Sequence, residues 1–287
     1  MEIPSNCDLP FFAYGLFKLN ELASNKILSF IDMDHPPTDI TIKDKGCIFL
    51  RDGLPLLNFD TISEVKGYII RFKNDDCAKA YDTISKFVDT GDYKWHEFDI
   101  ESIKLRVNSL IGVESDGFDF LEETEWRGKN DPIFNEAMST IAEIINEFAD
   151  HRFPEKFDEK EWSRFFKLQM AYLLLWSTIE RYGSFAYGLC LMPHEKKDEL
   201  ACEEPYRNTL EKVVKSPRGL HNPKWPDRAI VLRPSGASNS IRYYYQVRNN
   251  IVHRGKGEGR DGDIVQDSLI ELFEIFKTVL AETLFIN

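Results

Sequence analysis

Tyr243-Tyr244-Tyr245-Gln246-Val247-Arg248-Asn249-Asn250-Ile251-Val252-His253-Arg254-Gly255 is the stretch from which the rest of this chain is best understood. It reads as a helix over 241–254, broken by the glycine-rich, charged run Gly255-Lys256-Gly257-Glu258-Gly259-Arg260-Asp261-Gly262. An arginine, an asparagine and a histidine fall within six positions, among Tyr, Val and Ile. Polar groups in apolar surroundings cost free energy unless they find partners. One reading is a helix end whose Arg and His cap carbonyls or pair with carboxylates. The other is a reactive site.

The second reading has specific chemistry behind it. Histidine titrates near neutral pH and can move a proton. Arginine stays charged and offers a planar fork of donors that suits phosphate. An amide orients a phosphate oxygen or a ribose hydroxyl. Such a set can cut RNA without a metal: the 2′-hydroxyl attacks the adjacent phosphorus, His253 moves a proton, and Arg248 stabilises charge on the phosphoryl oxygens. DNA lacks the 2′-hydroxyl and is excluded as a substrate of this reaction. On one regular helix Asn249 and His253 share a face, whereas Arg248 and His253 point roughly 140° apart. Arg and His therefore meet on one phosphate only if the helix is distorted or a second subunit completes the site, which favours a homodimer.

At these residues the sequence RNNIVHRG (248–255) resembles the Arg-polar-x-x-x-His motif of HEPN domains, in the form where Asn follows Arg. The resemblance covers roughly residues 130–287. It implies an all-α bundle that dimerises and acts as a metal-independent endoribonuclease, in antiviral defence or a toxin-type stress response. It carries over Arg248 and His253 as the catalytic pair and Asn249 as the supporting polar residue, with no cofactor and no metal. A non-catalytic HEPN interaction or dimerisation protein stays open as an alternative.

Charge is distributed unevenly. The 287-residue chain has a net charge of −12, which argues against a general nucleic-acid coat protein. Between Glu203 and Arg260, however, twelve basic residues face five acidic ones, a local balance of about +7. Arg242, Arg254 and Lys256 are the RNA-binding candidates nearest the motif, with His221 and Trp225 available to stack on bases. The partners implied are RNA, tRNA among the candidates, a second copy through the helical domain, and an inhibitory or activating protein. Five scattered cysteines without metal-type spacing point to reduced thiols and a cytoplasmic setting. The N-terminus does not read as a signal peptide, and no apolar run approaches the roughly 20 residues of a membrane span.

The chain before the helical region reads differently. FFAYGLFK (11–18) opens as a short strand ending at a glycine, and Leu22–Ile31 reads as a short helix. Gly46–Leu50 is a strand followed by the turn Arg51-Asp52-Gly53. Val65–Phe72 is a strand, Asp75–Phe87 a helix, and Tyr93–Ile100 and Ile103–Ile111 are further strands. FFAYGLFK, RDGLPLL (51–57) and EVKGYIIRF (64–72), in this order, resemble the γ-glutamylcyclotransferase-like (AIG2-like) fold, a small mixed β-barrel. That resemblance implies a pocket near Tyr14, Gly15, Leu16 and Asp89 for a small anionic ligand or a partner. Enzymes of that family place a Glu as general acid/base in a Phe-Glu-Gly pattern. Here the stretch is Phe87-Val88-Asp89-Thr90-Gly91, and Asp89 is one methylene shorter. The domain therefore reads as regulatory or ligand-binding, with a γ-glutamyl cyclotransferase-type enzyme using Asp89 as the alternative.

The junction falls in the polar segment Glu122–Asn130, giving domains 1–128 and 129–287. Pro132 starts a helix running through Phe148, and Asp158–Leu191 is the longest helical stretch, with Glu180 placed to pair with Arg248 or with Arg181. The proline-rich segment 193–240 reads as a loop, and Asp263–Phe285 as a final amphipathic helix. The fold class expected is thus α+β: a small mixed barrel followed by an all-α bundle.

Overall fold

The computed structural model describes residues 1–43, 45–59, 63–88, 91–113, 119–121, 124–222, 225–254 and 260–284, and the backbone alone at 119, 120, 221, 222, 225–228, 253, 254 and 260. Two compact units are formed. One comprises Met1–Asp131 with Ser184–Leu191, the other Pro132–Gly183 with Met192–Asn287.

The first unit holds strands β1 (Phe11–Ala13), β2 (Thr38–Ile42), β3 (Cys47–Arg51), β4 (Leu54–Asn58), β5 (Val65–Ile70), β6 (Tyr93–Ile100), β7 (Leu105–Gly112) and β8 (Asp119–Phe120), and helix α1 (Cys77–Phe87). They make a five-stranded sheet in the order β2-β5-β1-β7-β6 and a three-stranded sheet in the order β4-β3-β8. Within the larger sheet β1 runs parallel to β7 and antiparallel to β5. Among the described residues these two sheets do not join into one closed ring. Asp52 and Gly53 both take positive φ, 50° and 73°, the geometry of a two-residue turn that matches strand twist, which sets the β3–β4 register. Helix α1 buries Ala80, Tyr81 and Ile84 completely, three positions on one helical stripe. Tyr81 lies edge-on to Phe72 and Trp95 at 5.3 and 5.1 Å.

Two features of this unit depart from the sequence reading. Residues Leu22–Lys26 and Leu28–Phe30 form 3₁₀ turns rather than one α-helix. Ser24 Oγ donates to the Glu21 carbonyl at 2.7 Å, a local bond that competes with helical pairing. Strand β2, which the sequence does not announce, is the sheet edge paired to β5 from Thr38↔Ile69 to Ile42↔Val65. Residues 184–191 complete the unit: Phe185 lies edge-on to Trp126 at 5.5 Å, and the Leu189 N–H donates to the Phe87 carbonyl at 2.9 Å.

The second unit is mainly helical: α2 (Met138–Glu147), α3 (Glu159–Ala186, its last residues belonging to the first unit), α4 (Pro193–Leu200), α5 (Glu204–Val213), α6 (Ala237–Arg254) and α7 (Arg260–Thr283). A π-helical turn, Ile133–Ala137, leads into α2. The core is assembled from Phe165, Leu168, Leu175 and Ile179 of α3, Ile241, Tyr244 and Val247 of α6, and Leu269, Leu272, Ile275, Phe276 and Val279 of α7, all at most 2% exposed.

The segment 193–240 is corrected from a loop to α4, α5 and a two-stranded antiparallel ribbon, β9 (Arg218–Asn222) and β10 (Trp225–Leu232). The unit is therefore helical but not all-α. The prolines misled because Pro193 and Pro205 occupy first-turn positions of α4 and α5, where the missing N–H costs nothing. At the start of α4 the Glu195 carboxylate accepts the Met192 N–H at 2.7 Å, closing the helix end.

Candidate functional site

Helix α6 is regular through 241–254, so no distortion draws Arg248 and His253 together within one copy. Their Cα positions keep the roughly 140° separation of a straight helix. The buried face of α6 carries Ile241, Tyr244 and Val247. Tyr245, Gln246, Arg248, Asn249 and Asn250 are half-buried, and Arg242 and Val252 are exposed. Of His253 and Arg254 the backbone alone is described, and Lys256 lies outside the described residues.

Arg248 is held loosely. Its Nη1 donates to Asn249 Oδ1 at 3.2 Å, and its Nη2 lies 3.9 Å from Glu180 Oε1 of α3. The pairing with Glu180 is thus present at a distance that gives charge attraction without a hydrogen bond. The guanidinium sits 5.7 Å from the centroid of the Tyr245 ring. Arg248 Nε is buried and has no hydrogen-bond partner among the described residues. Tyr245 itself packs edge-on against Trp176 at 5.3 Å and lies 5.6 Å from Lys197 Nζ. Lys197 is a site neighbour that the sequence does not single out, because α4 lies in the proline-rich segment. Pro193 with an acid two positions later was the available signal of a helix start.

Part of the basic window is turned to structural use. Arg218 of β9 pairs with Glu271 of α7, lies 3.7 Å from Asp267, and packs over the Tyr243 ring. Tyr244 Oη donates to the same Glu271 carboxylate at 3.0 Å. Burial raises the Glu271 carboxyl and the Arg218 charge pulls it back down, with the net direction upward. Arg218 thus fastens the ribbon to α7 and turns its charge inward.

The Tyr14–Gly15–Leu16 crevice of the first unit is finished differently. Tyr14 Oη accepts the Leu57 N–H at 3.0 Å and donates to the Pro55 carbonyl at 3.4 Å. Burial pushes the Tyr14 hydroxyl well above its ordinary value. A Cβ on Gly15 would lie 2.6 Å from Pro55 Cγ, so this turn admits only glycine without a shift. With Phe11, Phe17, Val88 and Leu110 in its lining, the crevice encloses about 20 Å³, space for one water. Asp89 lies outside the described residues. Nearby, Lys18 is buried and donates to Glu125 and to the Trp126 carbonyl, both at 2.6 Å, while Glu21 accepts the Gly128 N–H at 3.0 Å.

No helix among the described residues is long and apolar enough to cross a membrane. No group of His, Cys, Asp and Glu among them is arranged to hold a metal ion. No protein-family model matches this chain, and no curated protein matches its sequence. Among solved structures, an uncharacterized protein from Pyrococcus horikoshii aligns with 41% of this chain and 89% of its own, at 8% identity and a TM-score of 0.33. A likeness of that size supports no statement about fold or activity.

Proposed function

We propose that this protein is a metal-independent endoribonuclease whose centre is Arg248, Asn249 and His253 on α6, completed across a homodimer. In this reading the second unit is a HEPN-type bundle carrying an added ribbon. The first unit is a γ-glutamylcyclotransferase-like domain that regulates the nuclease or binds a ligand. The observation that carries the proposal is the state of Arg248. A buried donor left without an acceptor costs about 1–3 kcal/mol, and among the described residues Arg248 Nε is such a donor, on a side chain that is still 26% exposed. An arriving phosphate supplies the missing acceptor, with Nε and an Nη as its fork. The α-helical backbone of α6 sets positions 248 and 253 roughly 140° apart around one helix, which is why this reading places the two residues of one site on different copies.

The reaction follows from the groups. His253 takes the proton of the 2′-hydroxyl, whose oxygen attacks the adjacent phosphorus. The bond from phosphorus to the 5′-oxygen breaks, that oxygen takes a proton from solvent, and the products are a 2′,3′-cyclic phosphate and a 5′-hydroxyl end. Arg248 neutralises charge on the phosphoryl oxygens as it develops. The setting is cytoplasmic, in defence or a toxin-type stress response, with a protein partner controlling the activity. The cyclotransferase alternative has less behind it, because Tyr14 of its crevice is already bonded to the Leu57 N–H and the Pro55 carbonyl.

The test is incubation of the purified protein and its His253→Ala variant with total RNA and with tRNA, in EDTA, with end analysis. Cleavage by the wild type alone, leaving cyclic phosphate ends, is the expected result. No cleavage by either, with loss of dimer in the variant, would favour a HEPN protein that only associates.

A further inference from the structure

We infer that Lys197 is a second phosphate-binding residue of the Arg248 site, so that the two cations flanking Tyr245 grip the backbone of one RNA strand; this rests on the endoribonuclease reading above. Lys197 comes from α4 and Arg248 from α6, and the two meet on one ring. Lys197 Nζ lies 5.6 Å and Arg248 Cζ 5.7 Å from the Tyr245 centroid. They are therefore at most about 11 Å apart, close enough to address one phosphodiester or two neighbouring ones. Trp176, edge-on to Tyr245, fixes the ring that both cations share.

The surroundings of the two charges point to an exchangeable acceptor. Lys197 is only 5% exposed, and an ammonium so deeply placed needs strong compensation. Its carboxylate is that of Asp198, the next residue on the same helix, 2.5 Å from Nζ and itself 46% exposed. Arg248 has Glu180 at 3.9 Å, beyond hydrogen-bond reach, and its Nε has no acceptor among the described residues. Each cation thus sits at the shared ring, while the opposing carboxylate is half-exposed or distant. On this inference a phosphate oxygen replaces Asp198 at Lys197 and supplies the acceptor that Arg248 Nε lacks among the described residues. The Tyr245 ring attracts both cations through its face and adds no competing acceptor.

The experiment measures binding separately from cleavage. A 2′-O-methyl oligoribonucleotide has no free 2′-hydroxyl and cannot be cut by this chemistry, so its affinity is read by fluorescence anisotropy from about 50 to about 200 mM salt. The wild type, Lys197→Met, Lys197→Arg and Asp198→Asn are compared. Lys197→Met is expected to bind about tenfold more weakly, with a log–log salt slope smaller by about 0.7, the value for one lost phosphate contact on a single strand. Lys197→Arg restores both, and Asp198→Asn, which removes the competing carboxylate at a half-exposed position, tightens binding about threefold, the modest gain expected of a surface charge. A folding failure of Lys197→Met leaves Asp198→Asn and Lys197→Arg to decide. If the wild type cuts unmodified RNA in EDTA and binds the oligonucleotide, but the variants match it in affinity and slope, the Lys197 inference falls and the nuclease reading stands. If the wild type neither binds the oligonucleotide nor cuts RNA, both fall.

Discussion

The Tyr14 crevice and the Arg248 surface both place polar groups beside aromatic rings, yet one is closed and the other is left open. Tyr14 spends its hydroxyl on two backbone groups of β4 and sits over about 20 Å³ of space. Arg248 keeps a buried Nε without a described partner and a carboxylate at 3.9 Å. A satisfied polar group holds a fold together, and an under-satisfied one is held ready for something else. On this comparison Tyr14 is tied into the fold, and the Arg248 surface is where the proposed chemistry is to be sought.

The sharpest way to break the comparison is Arg248→Ala. Cleavage of an oligoribonucleotide in EDTA is expected to fall by about 10²- to 10³-fold, the scale of one lost transition-state donor. Arg248→Lys should recover only part, because an ammonium lacks the fork. Full activity in Arg248→Ala would move the reactive centre elsewhere. Next in size is Glu271→Ala, which strands Arg218 and the Tyr244 hydroxyl. It should cost about 2–4 kcal/mol of stability in urea unfolding, at the lower side of buried ion-pair losses because Arg218 is partly exposed, while the cleavage rate of the folded fraction stays unchanged. Tyr14→Phe removes the acceptor of the buried Leu57 N–H and should cost about 1–3 kcal/mol. An unaltered cleavage rate keeps the crevice structural; a lost one would make it part of the working site.

The smallest effect is one of pH. Burial pushes the Glu21 carboxyl up to about 7, with Lys18 and the Gly128 N–H pulling the other way. The folded value lies above the ordinary 4.5, so between these limits the folded chain holds a proton that the unfolded chain has released. The contribution of Glu21 to stability is full below 4.5, declines as pH rises through 7, and is flat beyond. Glu21→Gln should flatten that decline in melting temperatures taken from pH 5 to 8, and an unchanged profile would show that Glu21 stays ionised in the fold.

The sequence was most legible where local rules suffice. The Asp52-Gly53 turn, strands β1, β5 and β6, and the apolar stripes of α1, α3 and α7 could all be read from spacing and turn chemistry. It was least legible between 193 and 240. There Pro193 and Pro205 signalled breaks but served as first-turn residues, and the pairing of Leu232 with Arg218 depends on contacts that no short window contains. The motif on α6 was visible as a string and Glu180 as one of its neighbours, while Lys197 and the inward turn of Arg218 were not. Lys197 reaches Tyr245 only through the packing of α4, and Arg218, counted with the free basic charge, turns inward to Glu271.

One connection has a consequence for how the chain is made. The first unit includes 184–191, with Phe185 against Trp126 and Leu189 bound to Phe87. A ribosome delivers residues in order, N-terminus first. When residue 131 emerges, the first unit still lacks the piece that covers Trp126, and the whole of 132–183 must follow before that piece appears. During synthesis the earlier unit therefore cannot be finished before the later one has begun. Completion of the earlier unit waits on the long helix of the later one, and a chain cut anywhere between 131 and 184 leaves both unfinished.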